Sequence, residues 1–182
     1  MQTPDSAKVR GLLPGWYRDL HAEGKFPGDT FHAHLPALAA LLGERTGLSV
    51  LDFGCGPRGG LASVPEFPHT VRGYDPYVPA FADDPWSRRY DVVFSSDALE
   101  HLLVPQLATF LDDVAAASPW LVFLAVATRS ASKTFPNGLN VHLIVEPASW
   151  WLGYVQARLP GYKVVRASED LLTGVVEVAL TR

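Results

Sequence analysis

Apolar positions along this chain fall into two patterns, one with helical spacing and one of short continuous runs. Phe31, Leu35, Leu38 and Leu42 recur at intervals of four, three and four, which puts them on one face of a helix. Asp29 or Thr30 is placed to cap that helix and Pro36 to kink it. Upstream, Pro14 to Gly24 predicts a short helix opened by its proline, with Trp16, Tyr17 and Leu20 on one face. Gly24 ends it, and Lys25-Phe26-Pro27-Gly28 is a turn.

From Leu48 onward the runs are those of buried strands. Ser49-Val50-Leu51-Asp52-Phe53 feeds Gly54-Cys55-Gly56, Thr70 to Tyr74 ends at Asp75, and Tyr90 to Ser95 contains Val92-Val93-Phe94. Pro105 opens a helix reaching Ala117, and Trp120 to Val126 is the most hydrophobic strand. The stretch from Thr128 to Glu146 is polar and rich in turn formers, with Asn137-Gly138 as one turn. Pro147 then opens a helix carrying Trp150 and Trp151, which point about 100° apart, so that one of them belongs to the core. Tyr162 to Arg166 and Val175 to Leu180 are strands around a turn at Gly174. Strands alternating with helices predict an α/β fold, its largely parallel sheet covered on both faces.

Composition narrows the function classes. A chain of 182 residues with 48% hydrophobic content suits a single domain, 1–182, that needs neither disulfide nor structural metal. Cys55 is the sole cysteine, which excludes an internal disulfide and fits a reducing, cytoplasmic setting. No apolar run is long enough for a bilayer, and Met1 to Arg10 lacks the apolar core of a signal peptide. A net charge of -4 argues against a nucleic-acid partner held by general electrostatics. The six histidines and one cysteine show no zinc-type paired spacing, so no metal site is expected. Hydrolase elbows and Gly-Lys-Ser/Thr phosphate loops are absent from the sequence.

Glycines at 54 and 56 directly after a buried strand let the backbone turn sharply and approach a ligand with no β-carbon between. Alone, the pair reads as a nucleotide-type site, with a plain turn as the alternative. Asp75, at the end of the next strand, either holds ribose hydroxyls or caps a turn with Pro76. The spacing after Gly56 is not that of Gly-x-Gly-x-x-Gly, which disfavours a dinucleotide dehydrogenase.

These residues resemble a known family. Val50 to Gly56 is similar to the first motif of class I S-adenosylmethionine-dependent methyltransferases, Tyr74-Asp75-Pro76 to their second-strand acidic motif, and Ser95 to Leu102 to the segment after their fourth strand. The likeness extends to a group of small bacterial and phage methyltransferase-like proteins through Tyr17, His21, Phe26 and Gly28, and through Phe135 to His142 followed by Pro147 and Trp150-Trp151. The resemblance implies a Rossmann-like sheet, mostly parallel with a C-terminal antiparallel strand and shortened around the third strand, where Val78 to Arg89 is short and proline-rich. It also implies a helical cap over 1–47. Asp52, Gly54, Cys55 and Gly56 would then surround the methionine half of S-adenosylmethionine, Asp75 and Pro76 the ribose, Asp83 the adenine, and Ser96 and Asp97 the pocket wall.

Methyl transfer demands alignment and exclusion of water, with a base useful for an alcohol acceptor. His142 and His101 are the candidate catalytic residues; each also has a purely local packing role open to it. Tyr17, His21, Arg129 and Asn140 are candidates for binding the acceptor. The function expected is methylation of an oxygen or nitrogen of a small molecule such as a sugar. Transfer or cyclisation of the cofactor's aminocarboxypropyl arm, and a non-catalytic cofactor-binding subunit, are the alternatives.

Overall fold

Every residue of β3 (Val92–Ser96) and β4 (Leu121–Ala127) is buried, as are the three central residues of β1 (Ser49–Phe53). Such runs, apolar on both faces, form where helices cover a parallel sheet from both sides. The computed structural model describes residues 6–26 and 28–182; Pro27 of the predicted turn and the first five residues of the Met1 to Arg10 stretch lie outside them.

The six strands are ordered β2-β1-β3-β4-β6-β5, with β2 at Thr70–Tyr74, β5 at Lys163–Asp170 and β6 at Val175–Thr181. β2, β1, β3 and β4 run parallel, and β6 runs against both β4 and β5. The expected sheet, mostly parallel with one reversed strand near the C-terminus, is therefore present. The chain leaves β1 for β2 on one side and returns to β3 on the other, so the carboxyl end of β1 is a topological switch point, where open α/β sheets bind ligands.

Between β2 and β3 lie only two 3-10 turns, Pro79–Phe81 and Pro85–Ser87, each with proline in its first two positions. Proline has no N–H to give to a ladder, so this stretch cannot supply a strand, and the sheet is shortened as expected.

Two helical expectations need correction. α1 spans Ser6–Ala22 and runs through Pro14 instead of starting there. Phe31 falls in a 3-10 turn, Thr30–His34, and Pro36 sits in the first turn of α2 (Leu35–Leu42), where its missing N–H costs nothing and it starts the helix without kinking it. Phe31, Leu38 and Leu42 still pack together against Val50, Val92 and Phe94. On the opposite face, α3 (Val104–Ala117) and α4 (Ala148–Arg158) bury Leu107, Leu111, Trp151 and Val155 against Leu51, Val93 and Val122. Trp151 is fully buried and Trp150 only partly, which answers the tryptophan geometry. Among the described residues no helix is long and apolar enough to cross a membrane.

Candidate active site

β1 delivers the chain to a loop tied to its neighbour, because the Gly54 and Cys55 N–H groups both donate to the Tyr74 carbonyl, at 2.7 and 3.1 Å. Gly54 has a φ of 83°, and a β-carbon there would stand 2.3 Å from the Ala98 β-carbon, so only glycine fits. Asp52, 2% exposed, lies beneath this loop and accepts the Leu61 N–H at 2.7 Å on Oδ2. Burial lifts its carboxyl to about 7, the Leu61 N–H opposing and the charge of Asp75 adding to that rise.

At the end of β2, Asp75 accepts the Tyr77 N–H on Oδ1 at 2.9 Å and the Gly56 N–H on Oδ2 at 3.2 Å. His21 Nε2 lies 3.8 Å from Oδ2. Burial raises the Asp75 carboxyl above the usual range, against the pull of those two N–H groups and His21. Two buried polar atoms nearby, Ser96 Oγ and His21 Nδ1, have no hydrogen-bond partner. Such atoms are uncommon in native interiors and mark positions where a ligand or water belongs.

These groups surround a cavity of about 260 Å³. Tyr17, His21, Gly54, Gly56, Asp75, Pro76, Ser96, Asp97 and His101, all candidates from the sequence, line it together. Phe26, Thr30, Phe53, Tyr77, Leu102 and Lys133 complete walls that are largely aromatic and aliphatic. A second cavity, of about 470 Å³, shares Thr30 and Asp97 with the first and is bordered by His34, Arg129, Arg166 and Glu177.

Six candidates, His142 among them, do not line the main cavity. Cys55, 2% exposed, and Asp52 border only a void of about 10 Å³ under the loop. The nearby carboxylates and above all burial push the Cys55 thiol up, so it is inert packing. Asp83 is exposed, outside the cavity, and only its backbone carbonyl is engaged, by Arg72. Asn140 is consumed internally. Its Oδ1 accepts the Ala131 and His142 N–H groups and its Nδ2 donates to the Ala131 carbonyl, so it shapes the loop from which His142 projects. Arg129 borders the second cavity, with Nε donating to the Thr173 carbonyl.

The two histidines meet. Their ring centroids are 4.8 Å apart and nearly perpendicular. His101 Nδ1 lies 2.9 Å from the Val141 carbonyl and His142 Nδ1 lies 2.7 Å from the Arg129 carbonyl. Since a carbonyl only accepts, Nδ1 carries the hydrogen in both rings, and Nε2 of each neutral ring bears the lone pair. Burial, reinforced by His142, holds His101 down at about 4. The Tyr17 hydroxyl shares its hydrogen between the His101 and Val141 carbonyls, at 2.9 and 3.0 Å.

Glu100, not among the candidates from the sequence, belongs to the same group. It is fully buried in the 3-10 turn Leu99–His101, its Oε1 accepting the Ala127 N–H at 2.9 Å, and its carbonyl accepting the Leu143 and Ile144 N–H groups. Burial, then the neighbouring Asp97, raises its carboxyl well above the usual range. Asp97 itself holds a φ of 52°, the left-handed region that costs a β-substituted residue energy. The spacing Asp97-x-x-Glu100-His101 is the signal that the sequence carries for this group.

The sheet order, the reversed strand and the site at the switch point define the fold of class I S-adenosylmethionine-dependent methyltransferases. No protein-family profile matches the sequence, and no curated protein is significantly similar to it. Solved structures are similar in fold. The 1,6-didemethyltoxoflavin-N1-methyltransferase of Burkholderia thailandensis, with bound 1,6-didemethyltoxoflavin and S-adenosylhomocysteine, has a TM-score of 0.71 at 15% identity over 100% of this chain and 93% of that one. The magnesium protoporphyrin IX methyltransferase of Synechocystis PCC 6803, with bound S-adenosylmethionine, reaches 0.55 at 13% identity over 100% and 86%. The small RNA methyltransferase HEN1 reaches 0.62 at 17% identity over 86% of this chain and 25% of that one. Neighbours on this fold thus serve unlike acceptors.

Proposed function

We propose that the protein binds S-adenosylmethionine in the first cavity and transfers its methyl group to an oxygen or nitrogen of a small-molecule acceptor. One observation carries this reading. A carboxylate at the end of β2, a loop that only glycine can form at the end of β1, and two partnerless polar atoms converge on one cavity.

The residues present suit that cofactor. Asp75 is placed for ribose hydroxyls, Ser96 Oγ and His21 Nδ1 supply free hydrogen-bonding capacity, and the bare edge of Gly54 and Gly56 admits close approach. Asp52 and Cys55 support the loop from below. Asp83 is set aside as an adenine contact because it is exposed and outside the cavity. When bound, S-adenosylmethionine supplies an electrophilic methyl group on a sulfonium. The chain's own contribution is to orient and to exclude water. Tyr17 and Phe26, from the segment 1–47 read as a roof, close one side of the cavity.

The acceptor is assigned to the second cavity, which meets the first at Thr30 and Asp97 and has Arg129 on its border. His101, on the wall of the first cavity and grouped with Asp97 at that junction, presents the lone pair on Nε2 to the acceptor's polar hydrogen, and His142 packs against its ring. An acceptor site within cavities, together with a net charge of -4, supports a small molecule over RNA.

Calorimetric titration tests the cofactor: S-adenosylmethionine should bind and NAD should not, and the converse rejects the reading. Incubation with a metabolite pool, and in parallel with small RNA, followed by mass spectrometry, tests the reaction. S-adenosylhomocysteine with a methylated small molecule is the expected outcome. Methylthioadenosine would assign arm transfer, methylated RNA would replace the acceptor class, and binding without turnover would assign a non-catalytic role.

A further inference from the structure

Asp97, Glu100, His101 and His142 each offer a donor atom, and these atoms all lie within 4.8 Å of one another. The set is built from two distant segments. The 3-10 turn Leu99–His101 presents Glu100 and His101 next to Asp97, and the N–H groups of Leu143 and Ile144, bound to the Glu100 carbonyl, bring His142 alongside.

The protonation pattern is that of a ligand set. Both Nδ1–H groups are given to backbone carbonyls, which fixes the rings and leaves the Nε2 lone pairs, the arrangement in which histidine ordinarily meets a metal. Glu100 adds an independent observation. Its side chain is fully buried and Oε1 is satisfied by Ala127, yet Oε2 has no hydrogen-bond partner. A buried carboxylate oxygen without a partner is costly, and a cation among these groups supplies what it lacks.

We propose that Asp97, Glu100, His101 and His142 form a binding site for a divalent transition-metal ion. Two imidazoles with two carboxylates suit Mn2+, Co2+ or Zn2+ better than Mg2+ or Ca2+, which prefer oxygen alone. The absence of paired Cys and His spacings, which argued against a metal, does not bear on a set that takes half its donors from carboxylates. Resting on the methyl-transfer reading, the ion takes over the part given there to the Nε2 lone pairs, which it occupies: an acceptor hydroxyl bound to it loses its proton to solvent more readily. The oxygen lone pair then forms the bond to the methyl carbon as the carbon–sulfur bond breaks, its electrons going to sulfur. That selects an alcohol over an amine.

The test is a titration of metal-free protein with Co2+, followed by its visible absorption and by calorimetry, with no cofactor present. Saturable binding of a single ion is expected, with absorption bands showing nitrogen ligation. Glu100→Gln, His101→Gln and His142→Gln should each weaken it about tenfold or more. Asp97→Asn, at an exposed position, guards against loss of fold and should weaken binding too. No saturable binding of Co2+, Mn2+ or Zn2+ below about 1 mM, or wild-type affinity in all four variants, overturns the proposal. Metal binding without S-adenosylmethionine binding would reject the methyl-transfer reading and leave the metal site standing.

Discussion

Gly28 lies against Gly56 so closely that a β-carbon on either would crowd the other's backbone. A β-carbon on Gly28 would stand 3.1 Å from the Cys55 carbonyl oxygen and 3.3 Å from Gly56 Cα, and one on Gly56 would stand 3.1 Å from Gly28 Cα. Both residues have positive φ, 70° and 66°. The N-terminal segment is thereby seated directly on the loop that carries the first motif, and the wall holding Tyr17, His21 and Phe26 is placed by a backbone-to-backbone contact.

Gly28→Ala tests that seating. The left-handed backbone alone costs a β-substituted residue about 1–2 kcal/mol, and the close contact adds to it. We expect a lower melting temperature and S-adenosylmethionine affinity reduced roughly tenfold, since about 1.4 kcal/mol transmitted to the site is a factor of ten. Calorimetry giving wild-type affinity would show that the segment docks independently of the loop.

Gly54 and Ala98 form a second such pair, across the mouth of the cavity. Gly54→Ala should abolish measurable cofactor binding, because its new β-carbon would lie 2.3 Å from that of Ala98 and one loop must move. Ala98→Gly in the same chain removes the obstacle and should restore part of the affinity, leaving only the strain of a φ of 83°. Equal loss in single and double variants would place the fault in the backbone conformation alone.

What the sequence made legible follows from range. The bounds of β1 and β2 could be read directly, because an apolar run followed by glycine or aspartate is a local signal. The lining role of Asp75 also follows from its place at a strand end. The loop from 128 to 147 could not be read, because tertiary bonds shape it: the Asn140 amide clasps Ala131 and His142, and the Glu100 carbonyl anchors Leu143. Asn140 looked available to an acceptor for the same reason. Glu100 was not legible either, since nothing in its neighbours announces that a carboxylate will be fully buried.

Tyr17→Phe removes one hydroxyl that serves two carbonyls, those of His101 and Val141. Leaving buried carbonyls short of a donor should cost about 1–2 kcal/mol. Because these carbonyls belong to the turn and loop that carry the histidine pair, turnover should fall more than cofactor affinity. Equal changes in both would mean that the hydroxyl supports the cofactor cavity as a whole.

Asp52 gives a pH signature. Its carboxyl is ordinary, near 3.8, in the unfolded chain and about 7 in the folded one, chiefly because it is buried. The folded state therefore keeps a proton that the unfolded state has released. The stability this confers is complete below the unfolded value and is lost as pH rises through about 7. Asp52→Asn does not titrate, and its carboxamide oxygen can still accept the Leu61 N–H. Denaturant unfolding without cofactor should show the variant gaining on wild type as pH rises from about 4 to 8, by roughly 4 kcal/mol across the full window. Asp75 and Glu100 are also raised and tilt both curves, and the difference between the two proteins reads Asp52 together with its coupling to Asp75. Parallel pH profiles for the two proteins would show that Asp52 stays ionised, its loop held by a charged hydrogen bond rather than a neutral one.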